Sequence, residues 1–227
     1  MTKNFLKFLF ALILTATSCL FLSGCTPKSN TSTTIKEKPL PKGGEEINSK
    51  LKMKNEKLRN ILFVIAPVGF QEIEYQTPRT FLENTGYTIT VASKGVQTAQ
   101  ASSGKVVNAD QQLDEVKIDD FMAVVFVGGP GTTVYFNDQT ALALAKEAFQ
   151  KNKVIGAICI APSILANAGI LKDKKATSFP SEEANLKSKG AIFTGDSVTV
   201  DGKIITANGP SSADEFGQKI VEVLEKY

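Results

Sequence analysis

The 227-residue chain contains no histidine and no tryptophan, and its only cysteines are Cys19, Cys25 and Cys159. Without histidine, the chain cannot build a Ser-His or Cys-His dyad, or a histidine-ligated metal site, from its own side chains. We predict no metal site, and no cofactor either, since no Lys-Ser/Thr follows the glycine pair 128–129 at the spacing of a phosphate-binding loop. Hydrophobic residues make up 42% of the chain and charged residues 22%, a composition too apolar for a disordered protein. The sequence thus predicts a globular protein whose chemistry does not use an imidazole.

The first 24 residues have the pattern of a secretory signal peptide. Lys3 and Lys7 precede a mostly apolar stretch at residues 8–22, which is shorter than the roughly 20 residues of a membrane-spanning helix. The stretch runs into Leu-Ser-Gly-Cys at residues 22–25, which resembles the bacterial lipobox. In signals of that kind the cysteine is acylated, with palmitate for example, and becomes the N-terminus after cleavage. An ordinary signal peptide with a chance cysteine is the alternative, but the match favours lipidation of Cys25.

Lipidation of Cys25 implies an extracytoplasmic protein that is anchored to the cell membrane by lipid, because each buried CH₂ of an acyl chain contributes about 0.8 kcal/mol. Residues 25–58 then form a tether, with eight lysines, four glutamates and few large apolar side chains. A soluble linker is the simpler interpretation, and a segment lying on anionic headgroups is the alternative. Residues 59–227 carry 16 basic and 19 acidic side chains, so the excess positive charge of the chain lies in the signal and the tether. This distribution predicts no nucleic-acid partner.

From Asn60 onward, apolar runs typical of buried strands alternate with segments typical of helices. The pattern predicts strands at 61–66, 87–92, 121–127 and 154–158, and a hairpin at 198–206 around Asp201-Gly202. It predicts helices that begin at Thr77-Pro78 and end at Gly86, at 138–151, at 162–168 and at 213–225, with an irregular excursion at 105–116. Residues 59–227 are therefore predicted to form an α/β domain, with a doubly wound, mostly parallel sheet covered by helices on both faces.

Ligands of such sheets bind beyond the carboxyl ends of the strands, which here are residues 67–74, 128–131 and 159–162. Cys159 is the only cysteine left once the signal is removed and Cys25 is acylated, and an exported protein with one free thiol suggests a reactive site. Ala157 and Ala161 flank it with small side chains, which permit the sharp strand-to-helix turn of a nucleophile elbow. Amides at the helix start would lower the pKa of the thiol. A buried cysteine that acts as a small hydrophobic residue fits the local pattern equally well.

Four motifs resemble the ThiJ/PfpI superfamily, and they occur in the order typical of it. They are Gly-Phe-Gln-Glu-Ile-Glu at 69–74 with Pro78, Phe-Val-Gly-Gly at 126–129, Gly-Ala-Ile-Cys-Ile-Ala-Pro at 156–162, and Val-Asp-Gly-Lys-Ile-Ile-Thr at 200–206 with Gly209-Pro210. The resemblance covers about residues 60–225 and implies a flavodoxin-like fold of the class I glutamine amidotransferase type, with a nucleophile elbow. It also suggests a role in stress response and allows a homodimer.

The resemblance implies that Cys159 is the nucleophile and that Glu74 is the carboxyl group beside it, with Glu72 as the weaker candidate. It also implies that the backbone amides of Gly129 and Ile160 stabilise the thiolate or a substrate oxyanion. A protonated, buried carboxylic acid can donate to a thiolate or shuttle a proton, which makes these roles chemically coherent. Without the resemblance, Glu74 would be read as a solvated acid at a helix start.

Two positions depart from the superfamily. Peptidase-like members have a histidine directly after the nucleophile, where this chain has Ile160, and many relatives have a His-Pro pair where this chain has Phe179-Pro180. Peptide hydrolysis, which must protonate a poor leaving group, is the activity that these replacements disfavour most. Addition of a thiolate to a reactive carbonyl needs no leaving group, and oxidation by peroxide needs only an accessible thiolate.

Whether the protein is an enzyme is left open by the sequence. The leading hypothesis is cysteine-dependent glyoxalase-like or deglycase-like chemistry on small reactive carbonyl compounds. One alternative is a redox-sensing or chaperone-like module in which an oxidant modifies Cys159 without turnover. The other is an inert binding domain in which Ile160 and Phe179 close the pocket and raise the pKa of the thiol.

Overall fold

The computed structural model describes residues 59–227, in which short and long strands alternate with helices. The strands are β1 (Asn60–Val64), β2 (Val68–Phe70), β3 (Thr88–Ser93), β4 (Thr98–Ala101), β5 (Val106–Asn108), β6 (Gln111–Gln112), β7 (Ala123–Phe126), β8 (Val154–Ile158), β9 (Lys175–Ala176), β10 (Ile192–Phe193), β11 (Val198–Asp201) and β12 (Ile204–Ala207). The α-helices are α1 (Glu72–Asn84), α2 (Gln139–Gln150), α3 (Pro162–Asn167), α4 (Glu183–Ser188) and α5 (Ala213–Lys226). The predicted signal peptide, lipidated Cys25 and tether lie outside the described residues.

Seven strands form the central sheet in the order β11-β12-β8-β7-β1-β3-β6. Every neighbouring pair in it is parallel except β11 and β12, which form the antiparallel hairpin around Asp201-Gly202. The middle strands β7 and β8 are buried at every position, as their continuous apolar sequences require. The predicted mostly parallel α/β sheet is therefore confirmed.

Helices cover both faces of the sheet. A Cβ atom built on Gly156 in β8 would meet Phe216 of α5 at 2.9 Å, so this residue faces α5. The neighbouring Ile155 and Ala157 point to the opposite face, since side chains alternate along a strand. Helix α2 packs against β7 and β8, while α1 packs against α5. No helix among residues 59–227 combines the length and the apolar character that crossing a membrane would require.

The first helix begins earlier than the sequence predicts. The prediction placed its start at Thr77-Pro78, but α1 starts at Glu72, and the Gln71 side chain caps it by accepting a hydrogen bond from the Ile73 amide (3.3 Å). Pro78 therefore lies inside the helix, where its missing N–H leaves the Glu74 carbonyl without the usual helical partner. The longer helix brings Glu74 into the first turn, which matters for the site.

Several short elements were not predicted. Strands β2, β4 and β5 form a separate three-stranded sheet beside the carboxyl end of β1, and β9 pairs with β10. The predicted irregular excursion at 105–116 contains β5, β6 and a 3-10 turn. Strand β7 begins at Ala123 rather than Phe121, because the Phe121 amide closes a 3-10 turn by donating to the Ile118 carbonyl (3.2 Å).

Candidate active site

Cys159 lies directly after β8 in an unusual backbone conformation. Its φ is 63°, in the left-handed region that residues other than glycine rarely adopt. Two backbone hydrogen bonds hold it there: its amide donates to the Ala207 carbonyl (2.9 Å), and its carbonyl accepts from the Phe179 amide (2.8 Å). Such strain persists only where the surrounding structure imposes it, and it is typical of functional sites. The sharp turn predicted for a nucleophile elbow is therefore present.

The carboxyl group of Glu74 reaches the cysteine from α1. The Glu74 side chain is fully buried. It approaches Cys159 across the backbone of Gly128, a residue that follows β7. A Cβ atom on Gly128 would lie 2.4 Å from Glu74 Oε2 and 2.5 Å from Cys159 Cβ. The missing side chain at Gly128 is what allows the two functional groups to meet, and the sequence analysis did not assign it this role. The glycine pair at 128–129 was the signal that could have indicated it.

Burial determines the ionisation of Glu74. Loss of water raises the pKa of its carboxyl group from 4.5 to about 7, while the Cys159 thiol and the Gly128 amide act weakly in the opposite direction. Neither carboxyl oxygen has a hydrogen-bond partner of good geometry among the described residues. An ionised carboxylate is costly in such surroundings, so the neutral acid is favoured.

The thiol of Cys159 is exposed by 9%. Its burial, and then the neighbouring Glu74, raise the pKa of the thiol to about 12, and the backbone amides of Gly129 and Ile160 lower it. The stabilising amides that the sequence predicts are thus directed at the sulfur atom, but burial and the carboxyl group outweigh them. The contribution of Glu74 depends on its charge, because only the ionised carboxylate repels a thiolate.

The backbone at Gly129 is held in place by close packing. Its φ is 110°, and a Cβ atom would lie 2.4 Å from the Gln71 amide nitrogen and 2.5 Å from the Gly69 carbonyl oxygen. The Gln71 amide in turn donates to the Gly128 carbonyl (2.8 Å). The segment before α1 therefore fixes the position of the Gly129 amide relative to the thiol.

Glu72, the weaker candidate, points elsewhere. Its exposed carboxylate accepts hydrogen bonds from Ser103 Oγ (2.5 Å) and Lys105 Nζ (3.0 Å) on the β4–β5 turn. Both bonds lower the pKa of the carboxyl group, the serine bond most. Glu72 thus ties the small sheet to α1 and is separated from the sulfur atom.

The two residues that replace histidine differ in exposure. Ile160 is half-buried and packs against the core, whereas Phe179 is 43% exposed.

A group of polar side chains that the sequence did not indicate lies behind α3, where Ser163 Oγ donates to Glu182 Oε2 (2.6 Å) and accepts from Asn185 Nδ2 (3.0 Å). These bonds connect α3, which follows the elbow, to the segment that carries Phe179. Across residues 59–227, no cluster of three or more cysteine, aspartate or glutamate side chains could hold a metal ion.

A strained cysteine after a parallel strand, facing a buried glutamic acid, defines a class of α/β proteins with a cysteine elbow. Within that class, the DJ-1/PfpI family model matches residues 59–223, and the chain belongs to this family. An uncharacterized protein of Methanocaldococcus jannaschii is 40% identical over 182 residues, which are 79% of this chain and 89% of that protein.

Two named relatives and one solved structure support the assignment. A deglycase of Thermococcus kodakarensis is 29% identical over 72% of this chain and 98% of its own, and a glutathione-independent glyoxalase of Caenorhabditis elegans is 27% identical over 74% and 89%. The crystal structure of a ThiJ/PfpI domain protein from Brachyspira murdochii has a TM-score of 0.73 and 35% identity, covering 74% of this chain and 98% of that one. A segment equivalent to residues 59–227 therefore makes up nearly the whole of some relatives and can fold without further domains.

Proposed function

We propose that the protein uses a thiolate on Cys159 for glyoxalase-like or deglycase-like chemistry on small reactive carbonyl compounds, with Glu74 as the acid that supplies and recovers the proton. One observation carries the proposal. The buried carboxyl group of Glu74, which has no hydrogen-bond partner of good geometry, lies beside the strained Cys159, and the absence of a side chain at Gly128 allows this approach. Relatives named as a deglycase and a glyoxalase support the class of chemistry.

The position of the negative charge follows from the hydrogen-bond donors. Glu74 and Cys159 share their protons, and the pair loses the first of them with an apparent pKa of about 7. The sulfur atom has the amides of Gly129 and Ile160 as donors, whereas the Gly128 amide alone is directed at the carboxyl group, without the geometry of a full hydrogen bond. Two donors stabilise a charge better than one, so we place the charge on the thiolate and the remaining proton on Glu74.

This arrangement suits addition to an α-dicarbonyl compound. The thiolate forms a C–S bond with the aldehyde carbon, and the oxygen that receives the π electrons takes the proton from Glu74, which gives a hemithioacetal. The Glu74 carboxylate then moves the hydrogen of that carbon, as a proton, to the adjacent carbonyl carbon, while the hydroxyl proton of the hemithioacetal passes to the oxygen of that carbonyl group. The product is a thioester with a hydroxyl group on the adjacent carbon. Water hydrolyses the thioester to a 2-hydroxy acid and restores the thiol. The net reaction adds one water to the dicarbonyl, and no external oxidant or reductant is needed.

The test is methylglyoxal turnover by residues 59–227, measured as formation of lactate. We expect turnover by the wild-type protein, none by Cys159→Ser, and a loss of about 100-fold or more in Glu74→Gln, since general acid–base catalysis contributes about that much. Glu72→Gln is the matched control and should retain activity. Equal turnover by the wild-type protein and Cys159→Ser would refute the proposal.

Redox sensing is the second candidate, because Cys159 is the only cysteine among residues 59–227 and retains 9% of its surface exposed. In that case the thiolate attacks peroxide, the O–O bond breaks, and sulfenic acid and water are formed. Oxidation of Cys159 in the absence of methylglyoxal turnover would favour this function. A thiol that resists both reagents would favour the inert domain.

We also propose that lipid on Cys25 holds the protein at the outer side of the cell membrane. The lipobox-like residues 22–25 and the polar segment that follows them support this location.

A further inference from the structure

A cavity of about 310 Å³ lies at the edge of the sheet opposite the candidate active site. The lining residues that matter here are Phe149, Lys153, Lys174, Asp201, Lys203 and Tyr227. Lys153 directly precedes β8, whereas Cys159 directly follows it, so the length of one strand, about 17 Å, separates the cavity from the thiol. The cavity is therefore distinct from the site described above.

The cavity carries an excess of positive charge. Three of its lining side chains are lysines, and Asp201 is the single acidic side chain among the lining residues, where it pairs with Lys174 at 3.4 Å. The other two ammonium groups bond to backbone carbonyls, Lys153 to Phe121 (2.5 Å) and Lys203 to Asn152 (3.0 Å). Within residues 59–227, no salt bridge joins either of them to a carboxylate. Two positive charges are thus held in position, and in the described part of the chain no carboxylate lies within salt-bridge distance of either.

Aromatic side chains stand at the rim of the same cavity. Phe149 is 43% exposed and Tyr227 is 62% exposed, and the Lys203 ammonium lies 4.8 Å from the centre of the Tyr227 ring. Lysine beside exposed aromatic rings is the combination that suits the boundary between water and lipid, since such side chains present an apolar body and a polar tip.

Strand β1 begins at the same edge of the sheet as the cavity. In the sheet register, Ile61 lies beside Ala123, which lies beside Val154, so β1 begins at the same edge as β7 and β8. Asn60 at the start of β1 therefore lies at the same edge of the sheet as the cavity, and Cys159 lies at the opposite edge.

We propose that this cavity binds the anionic, phosphate-bearing headgroup of a membrane lipid. The ammonium groups of Lys153 and Lys203 contact the phosphate, and the rings of Phe149 and Tyr227 contact the interface around it. Basic pockets of this kind recognise lipid headgroups, and each lysine near an anionic surface strengthens binding about 5-fold. Binding orients the domain with its candidate active site open to solvent.

The experiment is a vesicle flotation assay with residues 59–227, which contain neither the apolar stretch nor Cys25. Vesicles of phosphatidylcholine that contain phosphatidylglycerol are compared with vesicles of phosphatidylcholine alone. We expect binding only to the anionic vesicles, and a loss of about 30-fold for the double variant Lys153→Gln, Lys203→Gln. Lys203→Gln alone should lose about 5-fold and serves if the double variant does not fold.

The matched control changes the same net charge at the opposite edge. Lys94→Gln with Lys105→Gln removes two lysines beside the carboxyl ends of the strands and should leave vesicle binding unchanged. An equal loss in the control variant would overturn the proposal, because binding would then follow overall charge. Absence of binding to anionic vesicles would overturn it as well. Inorganic phosphate that shifts the amide resonances of Lys153 and Ile204, without binding to vesicles, would show a site for a soluble anion and contradict a lipid ligand.

Discussion

Replacing Glu74 by glutamine tests which member of the pair carries the negative charge. The pair loses one proton near pH 7 and the second near pH 12. Between these values it carries one charge, either on the thiolate beside a neutral acid or on the carboxylate beside a neutral thiol. The state with a thiolate is nucleophilic, whereas the state with a neutral thiol is inert. The function of the site therefore depends on which of the two states predominates.

The two states predict shifts of opposite sign. If Glu74 is a neutral donor, the substitution replaces an O–H bond to the thiolate, worth about 1.5–3 kcal/mol, by a weaker N–H bond, and the pKa of Cys159 rises by about 1 unit. If Glu74 is an anion, the substitution removes a repulsion of about 4 kcal/mol for charges about 4 Å apart, and the pKa falls by about 3 units. We expect the rise, because the amides of Gly129 and Ile160 favour the thiolate.

The assay is the rate of alkylation of Cys159 by iodoacetamide as a function of pH, in residues 59–227. This segment contains a single cysteine, so the rate reports on one thiol. Glu72→Gln is the matched control. Glu72 precedes Glu74 by two residues, but its carboxylate bonds to Ser103 and Lys105 and does not face Cys159. The substitution should leave the pKa unchanged. A fall in the pKa of Cys159 in Glu74→Gln would refute the assignment of the proton to Glu74.

The remaining predictions concern stability, packing and anchoring. The folded pair keeps both protons until about pH 7, whereas an unfolded glutamate loses its proton near pH 4.5, so the contribution of the pair to stability is complete below pH 4.5 and is lost as the pH rises through about 7. Urea titrations should show the free energy of unfolding falling by about 3 kcal/mol over this range in the wild-type protein, but not in Glu74→Gln. Gly128→Ala forces a methyl group against Glu74 and Cys159, and should cost about 1–3 kcal/mol in the same titrations and abolish methylglyoxal turnover. In the control Gly95→Ala the new methyl group meets no atom within 4 Å, although the φ of 70° costs some stability, so this variant should keep its turnover. A loss of turnover there would argue against a specific role for Gly128. Cys25→Ala should move the full chain from the membrane to the soluble fraction of cells, and continued membrane retention would contradict the lipid anchor.

The main strands could be predicted from sequence because their residues are buried on both faces and leave continuous apolar runs, as in β7 and β8. The start of α1 was misplaced because proline is common at the first position of a helix, and Pro78 was taken as that position. In the structure Gln71 provides the cap, although glutamine is not among the residues usually preferred there. Two-residue strands such as β9 and β10 are too short to leave a periodic pattern.

The site was accessible from sequence only in part. The strand-to-helix turn at Cys159 follows from local pattern, but local pattern alone presents Glu74 as an exposed acid at a helix start. Its burial depends on α1, β7 and β8 meeting at the same sheet edge, a contact between residues far apart in the chain. Only the superfamily resemblance connected Glu74 with Cys159. The role of Gly128 could be recognised only from the structure. It depends on how closely Glu74 and Cys159 approach the backbone of Gly128, which a glycine in a turn does not indicate by itself.

The missing histidine limits the chemistry of the site through its supply of protons. Cleavage of a peptide bond requires a proton for the departing amine in addition to stabilisation of the oxyanion. In the nucleophilic state, the pair of Cys159 and Glu74 holds one proton, and Ile160 and Phe179 offer none. Addition to a carbonyl compound consumes one proton, and the later transfer and hydrolysis return it. The pair therefore supplies the proton that carbonyl addition and isomerisation need. Peptide hydrolysis would need the same proton at the departing amine and then a base that activates water, roles that an imidazole beside the nucleophile fills in peptidases and that the side chains of Ile160 and Phe179 cannot fill.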